Sequence, residues 1–141
     1  MSEQNIDVLR DAVKAYNARD VDAFVVYFDP TIELHSAFSA VGGAVYHGHE
    51  GLRKFFRDFE ETWGDEIHIE PEAYFDLGEQ TLSCYVLHGR GLHSGVDVEM
   101  PSALVASWRD GLIVYLKAYA HREDAFAELG VTQNELEPIA P

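Results

Sequence analysis

This sequence predicts an α+β domain: helices from the front of the chain cover one face of an antiparallel sheet formed by the back. Three observations carry that prediction. The first 60 residues alternate helix-like and strand-like patterns. After them come long stretches of period-two hydrophobicity joined by short turns, which is how antiparallel strands read. Three amphipathic helices and a sheet with an apolar face have to bury one another.

The elements follow in chain order. A first helix is expected over about residues 6–18, where Val8, Val13 and Tyr16 recur at helical spacing. Asn17-Ala18-Arg19-Asp20 breaks it. Asp20 then suits the N-cap of a second, short helix carrying Phe24, Tyr27 and Phe28. Asp29-Pro30 ends that helix, and Thr31 to His35 is extended. Gly42-Gly43 marks a loop leading to Tyr46-His47-Gly48-His49-Glu50-Gly51. A third helix follows over about residues 50–63, with Leu52, Phe55, Phe56, Phe59 and Trp63 as an aromatic stripe. Such a stripe is core first and pocket wall second.

Ile67 to Glu70 is short and amphipathic. Thr81 to Arg90 reads as a strand with Leu82, Cys84, Val86, His88 and Arg90 on one face, and the glycines from Gly89 to Gly95 turn the chain. Val96 to Trp108 is a long strand, Arg109-Asp110-Gly111 a tight hairpin, and Leu112 to His121 the last long strand. Arg122 to Phe126 suggests a terminal helical turn. Residues 1–5 and 133–141 look frayed, so the expectation is a single domain over 1–141 with an ordered core of about 6–130.

Composition bounds the function. The chain of 141 residues is 47% hydrophobic and 12% aromatic, enough for a sizeable core. No apolar run approaches the ~18 residues of a membrane helix. The N-terminus is polar and acidic, with no apolar secretory core. The single cysteine, Cys84, lies in an alternating strand and reads as a buried, inert thiol, which fits a reducing cytoplasm. Net charge is −15, and Asp58 to Glu79 holds nine acids with no Lys or Arg. A nucleic-acid partner is therefore not expected, because a phosphate-binding face needs clustered bases.

The pattern Tyr16-Asn17-Ala18-Arg19-Asp20-Val21-Asp22-Ala23-Phe24, with Phe28-Asp29-Pro30, Tyr46-His47-Gly48-His49-Glu50-Gly51, Trp108-Arg109-Asp110-Gly111 and Tyr119 followed by Arg122-Glu123, resembles the SnoaL-like branch of the nuclear transport factor 2-like superfamily. It is also similar to ketosteroid isomerase. The resemblance covers roughly residues 6–130. It implies a cone-shaped curved antiparallel sheet wrapped on the N-terminal helices, an internal cavity open at one end, and a homodimer through the outer sheet face. Tyr115, Lys117, Tyr119 and His121 alternate onto that outer face, and a row of exposed tyrosines favours an interface.

Aligned with ketosteroid isomerase, His35 falls at the carboxylate base, Ala12 at the oxyanion-hole tyrosine and Val105 near the protonated acid. Two of those three are apolar, so the oxyanion donors that supply much of the rate are missing, and that activity is not expected. Nor is there the Arg-Asp-Asp set of the epoxide hydrolase branch. The polyketide-cyclase branch carries a His and an Asp where this chain has Leu116 and Ala118.

The same matching turns Cys84, Val86, His88, Arg90, Leu116, Ala118 and Ala120 towards the cavity. The polar set is then Tyr16, His35, His88 and Arg90, with Tyr46 and Glu99. A histidine can move a proton at neutral pH and an arginine can hold an anion. One reading has His35 as base, Arg90 as anion clamp and Tyr16 as donor. This would be acid–base chemistry (lyase, isomerase or hydrolase) on an apolar carbonyl compound. It requires His35 and Arg90 to converge. A second reading is a non-catalytic binder of an apolar small molecule walled by Phe24, Phe55, Phe59 and Trp63. A third is a dimerisation module whose cavity is filled by its own side chains. His47 and His49 invite a metal, but Tyr-x-Gly turns of this kind serve the family as a helix entry. Neither a metal nor a cofactor is expected, since no phosphate loop or dinucleotide fingerprint exists.

Overall fold

The computed structural model describes residues 2–36, 45–63, 67–91 and 94–141. The Gly42-Gly43 loop lies outside the described residues. Helix α1 (Ser2–Asn17) buries Ile6, Leu9, Ala12, Ala15 and Tyr16, so Val8 and Val13 flank its stripe. The helix stops where Arg19 turns left-handed at φ 60° and the Asp20 amide returns to the Ala15 carbonyl at 3.0 Å. Asp20 caps helix α2 (Val21–Val25), its carboxylate accepting from the Ala23 amide. α2 is shorter than expected. Tyr27 lies beyond it, and Phe28 already opens strand β1 (Phe28–His35). Pro30 is tolerated in β1 because it falls in an irregular stretch between the paired positions Phe28 and Glu33, where no regular ladder bond is lost.

Strand β2 (Val45–His47) pairs back along β1 and runs directly into helix α3 (Gly48–Trp63). The corner needs Gly48. Its φ is 70°, and a Cβ there would stand 3.2 Å from the Pro30 carbonyl oxygen. Strands β3 (His68–Asp76), β4 (Gln80–Arg90), β5 (Asp97–Arg109) and β6 (Leu112–Tyr119) follow. β3 extends well past the Ile67–Glu70 segment. Its Pro71 is accommodated on an edge strand, beside a bulge.

The sheet has six strands in the order β2-β1-β6-β5-β4-β3. It is mixed, which corrects the all-antiparallel expectation: β1 and β6 run parallel. The chain crosses through α3 to the far edge, so the β3–β6 meander returns to β1 in β1's own direction.

Helices α1, α2 and α3 pack on one face of this sheet, here called inner. Phe24, Phe28, Leu52, Phe56, Leu34 and Leu116 lie in their shared core. The outer face has its own core. Leu82, Cys84, Ala103, Val105 and Tyr119 lie beneath helix α4 (Arg122–Leu129), with Ala125 fully buried and Phe126 and Leu129 packed alongside. The expected row of exposed outer tyrosines is therefore not there. α4 covers Tyr119, whose hydroxyl donates to Glu128. Tyr115 packs on the His35 ring at 5.0 Å.

Residues 133–141 are docked rather than frayed. Ile139 exchanges two backbone hydrogen bonds with Tyr74 on the β3 edge, at 2.9 and 2.7 Å, and Arg10 donates to the Ala140 carbonyl at 2.6 Å. The Asn17 side chain closes the same edge at Ile69 with two bonds of 2.8 Å. Among the described residues no helix is long and apolar enough to cross a membrane.

Candidate functional site

The site follows from one irregularity in the β5–β6 hairpin. Asp110 at φ 53° and Gly111 at φ 79° form the two-residue turn, and Arg109 pairs with Leu112. Continued regularly, that register would put Val105 opposite Leu116. A bulge between Ser107 and Trp108 shifts it by one, so Ala106 faces Leu116 and Leu104 faces Ala118. A one-residue shift sends every later side chain to the other face. β4 inherits the change through its pairing with β5, where Tyr85 stands opposite Ser102 and Val86 opposite Pro101. The inner face of β4 is therefore Tyr85 and Leu87.

Between that face and the helices lies a cavity of about 70 Å³, several times the ~10–15 Å³ one water needs. Tyr16 and Phe24 border it from the first two helices, and Phe55 and Phe59 from α3. The sheet contributes Leu34, His35, Ile69, Tyr85, Leu87, Leu104, Leu116 and Ala118, with Ser36 just after β1. The aromatic wall is braced in a chain of ring contacts. Phe55 meets Phe59 at 4.4 Å, Tyr16 meets Phe56 at 5.5 Å, and Phe24 meets Phe56 edge-on at 5.0 Å.

The polar groups of this cavity are few. Tyr16 and Tyr85 are each only 5% exposed. Burial pushes the Tyr16 phenol up to about 12, against a smaller opposing pull from Arg19. Burial pushes Tyr85 up as well, reinforced by the neighbouring Tyr16 and opposed by a side-chain hydrogen bond with Ser102. Both phenols are therefore neutral O–H groups at physiological pH. The Arg19 guanidinium sits 5.3 Å from the Tyr16 ring and donates to the Tyr16 and Ile67 carbonyls.

Of the residues singled out in the sequence, the structure brings Tyr16, His35, Phe24, Phe55, Phe59, Leu116 and Ala118 to one cavity. His35 only borders it. Its Nε2 lies 2.6 Å from Glu33 and its ring packs on Tyr115, both on the outer face. Val86 and Val105 face outward, and Val105 belongs to the core under α4. His88 is outward too, stacked on His68 at 4.7 Å, with Glu70 at 3.7 Å and Glu99 at 4.0 Å.

Arg90 lies at the end of β4, 54% exposed, 3.3 Å from Asp97, and bonds the Gly95 carbonyl. Together with His88 and Glu99 it lines a separate, open hollow, so His35 and Arg90 do not converge. Trp63 packs behind the cavity against Ile67, Tyr85 and Leu87, where a Cβ on Gly89 would meet its ring at 3.2 Å. Tyr46 braces Phe55 from outside at 5.5 Å and donates its hydroxyl to Asp58 at 2.7 Å. His49 contacts the Phe28 carbonyl at 2.8 Å. Among the described residues, no group of three or more His, Cys, Asp or Glu side chains is arranged to hold a metal ion.

Sequence reasoning missed Tyr85, Leu87, Leu104 and Ile69. Their signal was a bulge that no residue pattern announces.

The sequence profile of the SnoaL-like domain matches residues 9–116. The chain belongs to the SnoaL-like family. Solved structures place the fold in the same group. An NTF2-like protein of unknown function from Burkholderia pseudomallei superposes with a TM-score of 0.76 at 17% identity, covering 88% of this chain and 95% of that one. TerC, co-crystallised with polyporic acid, gives 0.74 at 19% identity over 89% and 97%. A putative polyketide cyclase from Xanthomonas campestris gives 0.71 at 15% identity over 91% and 98%. At these identities the likeness is one of fold. No curated relative matches the sequence.

Proposed function

We propose that this SnoaL-like domain is a small-molecule binding protein whose inner-face cavity takes a compact, apolar ligand. One observation carries this reading: Phe55 and Tyr16 line an open space instead of filling it. Its walls are apolar and aromatic, as ligand pockets usually are. TerC, similar in fold, was crystallised with polyporic acid, which agrees with a small-molecule role for such a cone. Proton transfer would need a group that ionises near neutral pH inside the cavity. Tyr16 and Tyr85 do not ionise there, and the imidazole of His35 is engaged on the other face.

Saturation-transfer NMR with benzene and indole tests the proposal. Binding of either in the micromolar to low-millimolar range, abolished when Ala118→Phe fills the cavity, supports it. Binding that survives Ala118→Phe in a folded protein, or no binding at all, rejects it.

Two wider readings accompany this one. The acidic surface disfavours nucleic acid, and a salt-sensitive mobility shift with an oligonucleotide would contradict that. A homodimer would have to use the part of the outer face that α4 leaves open, around Val45 and Tyr115. Light scattering at tens of micromolar reads it directly.

A further inference from the structure

A second hollow, of about 610 Å³, lies at the turn end of the sheet and shares no lining residue with the inner-face cavity. It is bounded by the β3–β4 turn, the β5–β6 turn and the start of α1, where Asn5 stands about 16 Å along the helix from Tyr16. The bulge helps to build it. Neighbours in a regular strand point to opposite faces, yet Ser107 and Trp108, on either side of the bulge, line the same hollow. Gln80, paired with Ser107 across the sheet, donates to its hydroxyl at 3.2 Å. The Trp108 indole N–H is taken by Thr81 at 3.0 Å, so the ring is fixed and offers the hollow its carbon surface.

The polar lining is incomplete by itself. Asn5 is only 8% exposed, and among the described residues no hydrogen bond holds its side-chain amide, although a buried amide ordinarily has one. The lining it joins is rich in acceptors and negative. Glu79 and Asp110 reach it from the two turns, and among the described residues neither forms an ion pair and no Lys, Arg or His lines the hollow. Arg109, beside Asp110 in the chain, is turned instead to Asp29 and Thr31. An anion placed here meets two carboxylates, and an apolar molecule leaves the Asn5 amide unpaired. A cation with N–H donors satisfies both acids and the amide oxygen and gains the face of Trp108.

We propose that this hollow binds aliphatic diamines and polyamines, their ammonium groups held by Glu79, Asp110 and the Asn5 amide oxygen and their methylene chain laid on Trp108. The site is independent of the inner-face cavity, so either can fail without the other.

The experiment titrates diaminobutane, and separately the uncharged butanediol, into the nitrogen-labelled chain at physiological ionic strength. The Trp108 indole N–H and the Asn5 side-chain amide should shift along one saturable curve with the diamine and stay fixed with the diol. Glu79→Gln combined with Asp110→Asn should weaken diamine binding about tenfold; asparagine tolerates the φ of 53° at that turn position. Glu60→Gln combined with Glu61→Gln, two exposed acids of α3, should leave affinity within about twofold. Equal losses in the two pairs would reduce the effect to general attraction by a chain of charge −15 and overturn the proposal. So would a diol that binds as well as the diamine. Should the variants not fold, the wild-type titration decides alone: Trp108 and Asn5 signals unmoved by the diamine overturn the site.

Discussion

The inner and outer faces of the sheet each carry a buried core, yet the two are built differently. Under α4 the outer face is closed, with Cys84, Ala103, Val105 and Ala125 fitted between Phe75, Tyr119 and Phe126. The inner face meets three helices carrying large aromatic rings, and those rings leave a cavity among them. Small residues set between a few rings under one helix pack to closure. Bulky rings from separate elements brace one another and leave space, because no single ring can reach every wall. Function in this fold is therefore expected on the face with the larger side chains.

The largest test of that contrast lies inside α3. Phe56 is packed core, while its neighbour Phe55 lines the cavity. Phe56→Ala should cost about 3–5 kcal/mol in urea unfolding, and Phe55→Ala roughly 1–2 kcal/mol. Equal losses would mean that the cavity is closed in solution.

Alkaline unfolding sharpens the same picture. The folded-state pKa of Tyr16 is raised from 10.0 to about 12. Its contribution is therefore intact below pH 10 and is lost as pH rises towards 12, because the unfolded chain ionises first. That loss amounts to about 2–3 kcal/mol. Tyr16→Phe should flatten the stability profile across this window, and a variant that falls as steeply as wild type would contradict the burial of the phenol.

On the sheet edge the effect is smaller. Removing residues 133–141 deletes the paired bonds between Ile139 and Tyr74 and the cover from Ile139, for an expected loss of about 1–3 kcal/mol. An unchanged denaturation midpoint would show the tail to be undocked.

The smallest effect belongs to His35. Its pairing with Glu33 is partly exposed, at 29% and 41%, and exposed ion pairs contribute about 0–1 kcal/mol. His35→Gln should change the melting temperature little and leave ligand uptake unaltered. Loss of uptake in a stable variant would return His35 to the site.

These contrasts also explain how far the sequence could be read. Helical spacing located α1 and α3, Asp20 announced its cap, and Asp110-Gly111 announced its turn, because each is a local preference. The family resemblance was carried by the same local features, and the sequence profile and solved structures agree with it. The phase of the sheet was not legible. From Thr81 to Leu87 every residue of β4 is buried, so its hydrophobic run carries no sign of which side is inner. Leu116 and Ala118 were placed correctly because β6 was matched directly. Val105, Val86 and His88 were placed on the wrong face because the bulge at Ser107 and Trp108 lies between them and that match. The docked tail was illegible for a related reason: Ile139 gains its stability from an edge more than 60 residues away in the chain, and its own neighbourhood is polar.

The central claim is that ligand enters the inner face, and methyl-resolved NMR tests it most directly. With indole added to a methyl-labelled sample, resonances of Leu34, Leu87, Leu104 and Leu116 should shift together along one binding curve, while Val86 and Val105 stay fixed. Shifts at Val86 and Val105 with the inner leucines unmoved would contradict the account.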